Sequence, residues 1–193
     1  MKNLTTYLSI LLVTLLVALP ARGQDPFTNK APQGTVMAKI DTVAIRLLIP
    51  NEGSYGKALG VGLELVENIL TEAFRHLGKP YRSGGKGPNH FDCSGFTGYV
   101  FRRHNFEIGA SSRDQYARNR PVDRGNMQRG DLVFFTSSHS SKHVGHVGIV
   151  VEVDPTNNTF SFIHASTRNG VIVSRSTDGY YARRFVGVRR VVK

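Results

Sequence analysis

The sequence predicts an α+β domain, with N-terminal helices packed on a central antiparallel β-sheet. Three observations carry that expectation. Apolar residues recur at helical spacing between about residues 62 and 77. After Gly130 they give way to short alternating or wholly apolar runs. Those runs follow one another through short turns, as consecutive antiparallel strands do.

The first helix is marked by Val66, Ile69, Leu70, Ala73, Phe74 and Leu77, and Gly78 and Pro80 stop it. "YRSGGKGPNHF" follows as a glycine-rich loop. A second helix begins at Cys93, capped by Asp92, and runs through Phe96, Val100 and Phe101 towards His104. A third starts near Ser111 or Ser112 in "SSRDQYARN".

The strands come next. "DLVFF" spans 131–135 and "HVGIVVEV" spans 146–153, with Val147, Ile149, Val151 and Val153 expected on one face. His146 then shares the other face with Gly148, Val150 and Glu152. "FSFIHAS" (160–166) follows the turn "DPTNNT", and "FVGVRRVV" (185–192) could close the sheet.

The chain has 193 residues, enough for one ordinary domain with length left over at an end. Residues 1–23 read as a secretory signal peptide. Lys2 precedes an apolar run from Leu8 to Leu19, and Ala21 and Gly23 suit a cleavage site. That run is short of the roughly 20 residues a spanning helix needs, and no cysteine follows it to anchor a lipoprotein. The mature protein is therefore expected in the periplasm, the cell envelope or the medium. Residues 24–60 read as a linker or N-terminal extension, with "NEGSYGKALG" loop-like, and 61–193 as the folded domain.

Formal net charge is +11, with arginine pairs at 102–103, 183–184 and 189–190. No nucleic-acid-binding motif accompanies them. For an exported chain, an anionic envelope surface is the expected partner of such charge, beside the plainer reading of a solvated basic surface.

The chain contains one cysteine, in "NHFDCSGF". An unpaired thiol in an exported protein is a candidate nucleophile. At a helix start, Cys93 would meet free amides and the positive end of the helix dipole, which favour the thiolate. Asp92 opposes this unless its carboxylate is occupied in capping. A histidine base completes such a site. Among His139, His143 and His146, only His146 begins an alternating strand, and a strand fixes a side chain better than a loop. His164 lies on the following strand and could hold the imidazole tautomer. Whether the two histidines share a face depends on the parity of the connection. The three clustered histidines could instead bind a metal, but no carboxylate or further cysteine completes a pattern.

"YRSGG…FDCSGFTGYVF", "SSRDQYA", "RGDLVFF", "HVGIV" and "FIHAS" occur in that order. Over roughly residues 62–193 the chain resembles the NlpC/P60 family of cell-wall cysteine peptidases. The resemblance implies a papain-like α+β fold, no cofactor, and cleavage of peptidoglycan stem peptides, usually between γ-D-glutamate and a diamino acid. It implies Cys93 as nucleophile, His146 as base, His164 as the orienting group and Tyr81 as a substrate-binding residue near the nucleophile. Ser112 and Gln115 match a helix start near the cleft and are expected to be structural. An amidase or acyltransferase with the same residues, or a non-catalytic wall-binding module, are the rival expectations.

Overall fold

The computed structural model describes residues 54–137 and 140–192. The expected signal peptide, residues 24–53 and His139 lie outside the described residues. Helix α1 spans Ser54–Phe74, α2 spans Cys93–Arg102, α3 spans Ser112–Arg118 and the short α4 spans Gly179–Ala182. The strands are β1 (Arg120–Val122), β2 (Leu132–Ser137), β3 (Ser140–Asp154), β4 (Thr159–Ser166), β5 (Gly170–Arg175) and β6 (Phe185–Arg190). They form one antiparallel sheet in the order β1-β6-β2-β3-β4-β5.

Helix α1 starts earlier than its apolar pattern. Residues 54–60, expected to be loop, are helical. Within α1, Val61 and Leu63 are largely exposed, and full burial begins at Ile69 and Leu70. Periodicity reports packing, and the turn at Val61 and Leu63 forms with both side chains largely exposed.

The run "LVFF" is wholly apolar because β2 is buried on both faces. Leu132 and Phe134 enter a core shared with α1, α2 and the inner residues of β3 and β4. Val133 and Phe135 enter a second core on the opposite face. This second core holds Val150, Phe160, Phe162 and Val188, and Tyr181 of α4 and Phe185 pack against it. The face that carries His146 is therefore not the polar side of a half-exposed sheet, as the alternation of β3 suggested. It is the floor of another apolar layer.

Val153 departs from its expected face for a local reason. Val150 pairs with Phe162, yet Glu152 pairs with Ser161, so Val151 is an extra residue in β3. Such a bulge inverts the alternation beyond it. Val147, Ile149 and Val151 pack in the first core, while Val153 packs against the second. Two further strands, β1 and β5, complete the sheet beyond those expected.

The ends of the sheet are tied to the loops by charge. Arg190 donates from Nε and Nη2 to the two carboxylate oxygens of buried Asp131 at 2.7 and 2.8 Å. Asp131 also accepts the amide of Gln128 at 2.8 Å, which fixes the turn entering β2. A bidentate pair of this kind is geometrically specific, and losing one partner would strand a buried charge.

Candidate active site

Cys93 is the first residue of α2. Asp92 precedes it in an extended conformation, and its Oδ1 accepts the Gly95 amide at 2.6 Å and the Ser94 hydroxyl at 3.0 Å. Its carboxylate is thus occupied in capping. Gly95 is required here, because a Cβ would lie 1.9 Å from the carbonyl oxygen of Gly85. The glycine-rich loop closes directly onto the helix start, with the Asp92 amide donating to Gly85 O at 2.9 Å.

Buried Gln115 holds the other side of this turn. Its Nε2 donates to Ser94 O at 3.0 Å and Gly109 O at 3.1 Å, and its Oε1 accepts from Thr97 Oγ1 at 2.8 Å. Helix α3 can present it because Ser111 and Asp114 cap reciprocally: Ser111 Oγ accepts the Asp114 amide, and Asp114 Oδ2 accepts the Ala110 amide. Ser112 is buried beside it.

The Cys93 thiol reaches across to β3 and donates to the Gly145 carbonyl at 3.9 Å. The amides of Ser94, Val147 and Cys93 itself point at the sulfur and favour the thiolate. Burial and then the Asp92 charge outweigh them, so the thiol pKa is raised. The sulfur therefore lies between the main-chain groups that flank His146. No hydrogen bond joins Cys93 to His146 among the described residues.

The parity question is answered by the register. Ile149 pairs with Ile163 and Val150 with Phe162, with the bulge lying beyond them. His164 consequently faces the same way as Gly148 and His146, and His146 Nε2 lies 2.9 Å from His164 Nδ1. Gly148 makes room between them: a Cβ there would come within 2.6 Å of Phe162 and 3.1 Å of the His164 Cβ. The second nitrogen of His164, Nε2, meets Ser174 Oγ at 2.9 Å and the Tyr181 hydroxyl at 3.3 Å. His164 is fully buried.

Burial in the second core disfavours charge on both rings. It lowers the pKa of His146 to about 4. It lowers that of His164 to about 2, with the neighbouring His146 as the next cause. Both rings are neutral at pH 7, and His146 Nδ1 is the nitrogen that His164 does not engage.

Tyr81 pairs with Phe91 beside the helix start and is half-buried. Burial raises its pKa first, and the proximity of Cys93 and Asp92 raises it further. Tyr81 and Cys93 pack against the first core, whereas His146 and His164 face the second, and the sulfur meets β3 through the main chain of Gly145 and Val147. His143 is exposed. Among the described residues no three His, Cys, Asp or Glu side chains cluster to hold a metal.

Sequence reasoning missed Ser174 and Tyr181. Ser174 had a signal: "GVIVSR" alternates, and recognising β5 places Ser174 opposite Phe162, on the His164 face. Tyr181, in "GYYARR", had none.

The NlpC/P60 family profile matches residues 78–190. A murein DD-endopeptidase MepS/murein LD-carboxypeptidase of Escherichia coli (strain K12) is 37% identical over 132 residues, 67% of this chain and 65% of that protein. A probable endopeptidase p60 of Listeria grayi is 42% identical over 94 residues, 48% of this chain and 18% of that protein. The chain thus spans less than two thirds of either relative. A crystal structure of an NLP/P60 family protein from Staphylococcus aureus superposes with a TM-score of 0.59 at 31% identity, covering 67% of this chain and 42% of that one. The NlpC/p60 domain of peptidoglycan hydrolase SagA superposes at 0.54 with 28% identity, covering 65% and 98%. With the family profile covering more than half of its length, this chain belongs to the NlpC/P60 family.

Proposed function

We propose that this protein is an exported cysteine endopeptidase that hydrolyses amide bonds in peptidoglycan stem peptides, the γ-D-glutamyl-diamino acid bond being the expected target. One observation carries the reading: the Cys93 sulfur rests against Gly145 and Val147, the neighbours of a histidine whose far nitrogen is held by a second histidine.

His146 Nδ1 takes the proton from Cys93 as the sulfur attacks the amide carbon. A C–S bond forms and the carbonyl electrons move to oxygen. Amides at the start of α2, with the Tyr81 hydroxyl, face the developing oxyanion. The intermediate collapses, the C–N bond breaks, and the His146 imidazolium protonates the departing amine. Water then attacks the thioester, giving its proton to His146. Cys93 leaves as thiolate and recovers that proton. No step draws on a metal or organic cofactor.

The names of the relatives support the substrate class, and the basic charge suits an anionic envelope. The test is digestion of purified peptidoglycan, with fragments identified by mass spectrometry. New stem-peptide termini from the wild type, and none from Cys93→Ala, are expected. Equal cleavage by Cys93→Ala would remove Cys93 as the nucleophile.

A further inference from the structure

The peptidase reading needs a free lone pair on His146 Nδ1. The ring proton of neutral His146 must then sit on Nε2 and donate to His164 Nδ1, 2.9 Å away. For His164 to accept there, its own proton must sit on Nε2. The opposite order is equally compatible with that contact: His164 Nδ1 could donate, placing the His146 proton on Nδ1 and disabling the base. The two rings cannot decide between these orders by themselves.

The two hydroxyls beyond His164 can bias that choice. Ser174 Oγ is 2.9 Å from His164 Nε2 and the Tyr181 hydroxyl is 3.3 Å away. Both hydroxyls meet the same nitrogen, and Ser174 favours the ionised form of Tyr181, as a hydroxyl donating towards it would. A serine hydroxyl has one proton and two lone pairs. If that proton goes to the Tyr181 oxygen, the Ser174 oxygen can face His164 only as an acceptor. Tyr181 can turn its own proton to a cavity of about 80 Å³, which it lines with Phe135, Ser176 and Phe185. The Tyr181 ring also lies nearly parallel to that of His146, at 27° and 6.0 Å between centroids.

We propose that Ser174, with its hydroxyl oriented by Tyr181, is a positioning residue that orders the protons along His164 and His146 and leaves His146 Nδ1 free to take the thiol proton. This rests on the peptidase reading of the Cys93 site. The contacts of both hydroxyls are with His164 rather than with the sulfur, so both act through the histidine pair.

The experiment uses the full chain with 15N-labelled histidine. Imidazole nitrogen shifts give the tautomers of His146 and His164 in the wild type, Ser174→Ala, Ser174→Thr and Tyr181→Phe, each checked for a native melt. Both rings are expected as Nε2–H in the wild type. In Ser174→Ala, Tyr181 is left to donate to Nε2, and both rings move towards Nδ1–H. On peptidoglycan, Ser174→Ala loses about tenfold or more in kcat with KM little changed, and Ser174→Thr recovers most of it. Unchanged tautomers in folded Ser174→Ala overturn the proposal, as does a threonine variant no better than alanine. If Ser174→Ala does not fold, Tyr181→Phe carries the same readout, because it releases the Ser174 proton. Mixed tautomers there support the proposal and a pure Nε2–H ring overturns it. If the wild type fails to cleave peptidoglycan, the peptidase reading falls, while the nitrogen shifts still decide the proton order.

Discussion

Nε2 of His146 lies 2.9 Å from Nδ1 of His164, although 18 residues separate them in the chain. The contact exists because β3 and β4 pair without a bulge at that end and because Gly148, between them, has no side chain. The Cys93 sulfur approaches from the other direction, through the main chain.

Cys93 is a protonated thiol in the resting protein, since burial and Asp92 raise its pKa and His146 is neutral. Its alkylation by iodoacetamide should therefore keep accelerating as pH rises past the ordinary thiol value of 9.0. The measurement is the second-order rate between about pH 6 and 10. A plateau already reached at neutral pH would mean that a thiolate–imidazolium pair stands preformed, against this account.

Replacing Asp92 with asparagine separates its two effects. The amide can still cap α2, so stability should fall by less than the ~0.5–2 kcal/mol typical of a lost cap. The negative charge that raises the thiol pKa is gone. The alkylation profile should move to lower pH while the melting temperature changes little. A profile that stays in place would show that burial alone sets the thiol.

Acid should weaken the fold through the histidine pair. The folded-state pKa values of about 4 and about 2 lie below the ordinary 6.5. Below pH 6.5 the unfolded chain takes up protons that the folded rings refuse, so the stabilisation is complete above 6.5. It is lost progressively as pH falls towards the folded values. Urea midpoints measured from pH 7.5 to 4.5 should decline, and His164→Gln should flatten that decline. A variant that loses stability as steeply as the wild type would assign the acid sensitivity elsewhere.

Gly148→Ala should damage both stability and the site. The added methyl meets the Phe162 ring and the His164 Cβ, neither free to retreat in a filled core. Overpacking of this sort costs about 1–3 kcal/mol. Thermal melts should register that loss, and peptidoglycan hydrolysis should drop further than the melting shift explains, because the histidine pair is pushed apart. Wild-type hydrolysis by a folded Gly148→Ala protein would show that the close His146–His164 approach is dispensable.

Much of this was legible in the sequence where the cause is local. Asp92 before Cys93, and Ser111 three residues ahead of Asp114, announce helix starts because capping is decided within four residues. "LVFF" was recognisable as a strand, but whether one face or both were buried was not, since Tyr181 and Phe185 arrive from about 50 residues away. Val153 illustrates the same limit: a bulge at Val151 is a property of the pairing with β4, and nothing in "HVGIVVEV" marks it. The shared face of His146 and His164 depended on where that bulge fell. Ser174 could have been found had "GVIVSR" been taken as a strand, whereas Tyr181 acquires its place only through tertiary packing.

The bulge and the turn after it set where this chain can tolerate change in length. Residues added or removed at 155–158 lie outward of Val151, and pairing from Val150 to His146 keeps its phase whatever happens there. One residue inserted between His146 and Ile149 would instead swing His146 into the layer beneath α2 and carry the Gly145 carbonyl away from the sulfur. A change of length in the outer hairpin would cost the Arg124–Asn158 hydrogen bonds but leave the histidines in place, whereas one between His146 and Ile149 would displace them.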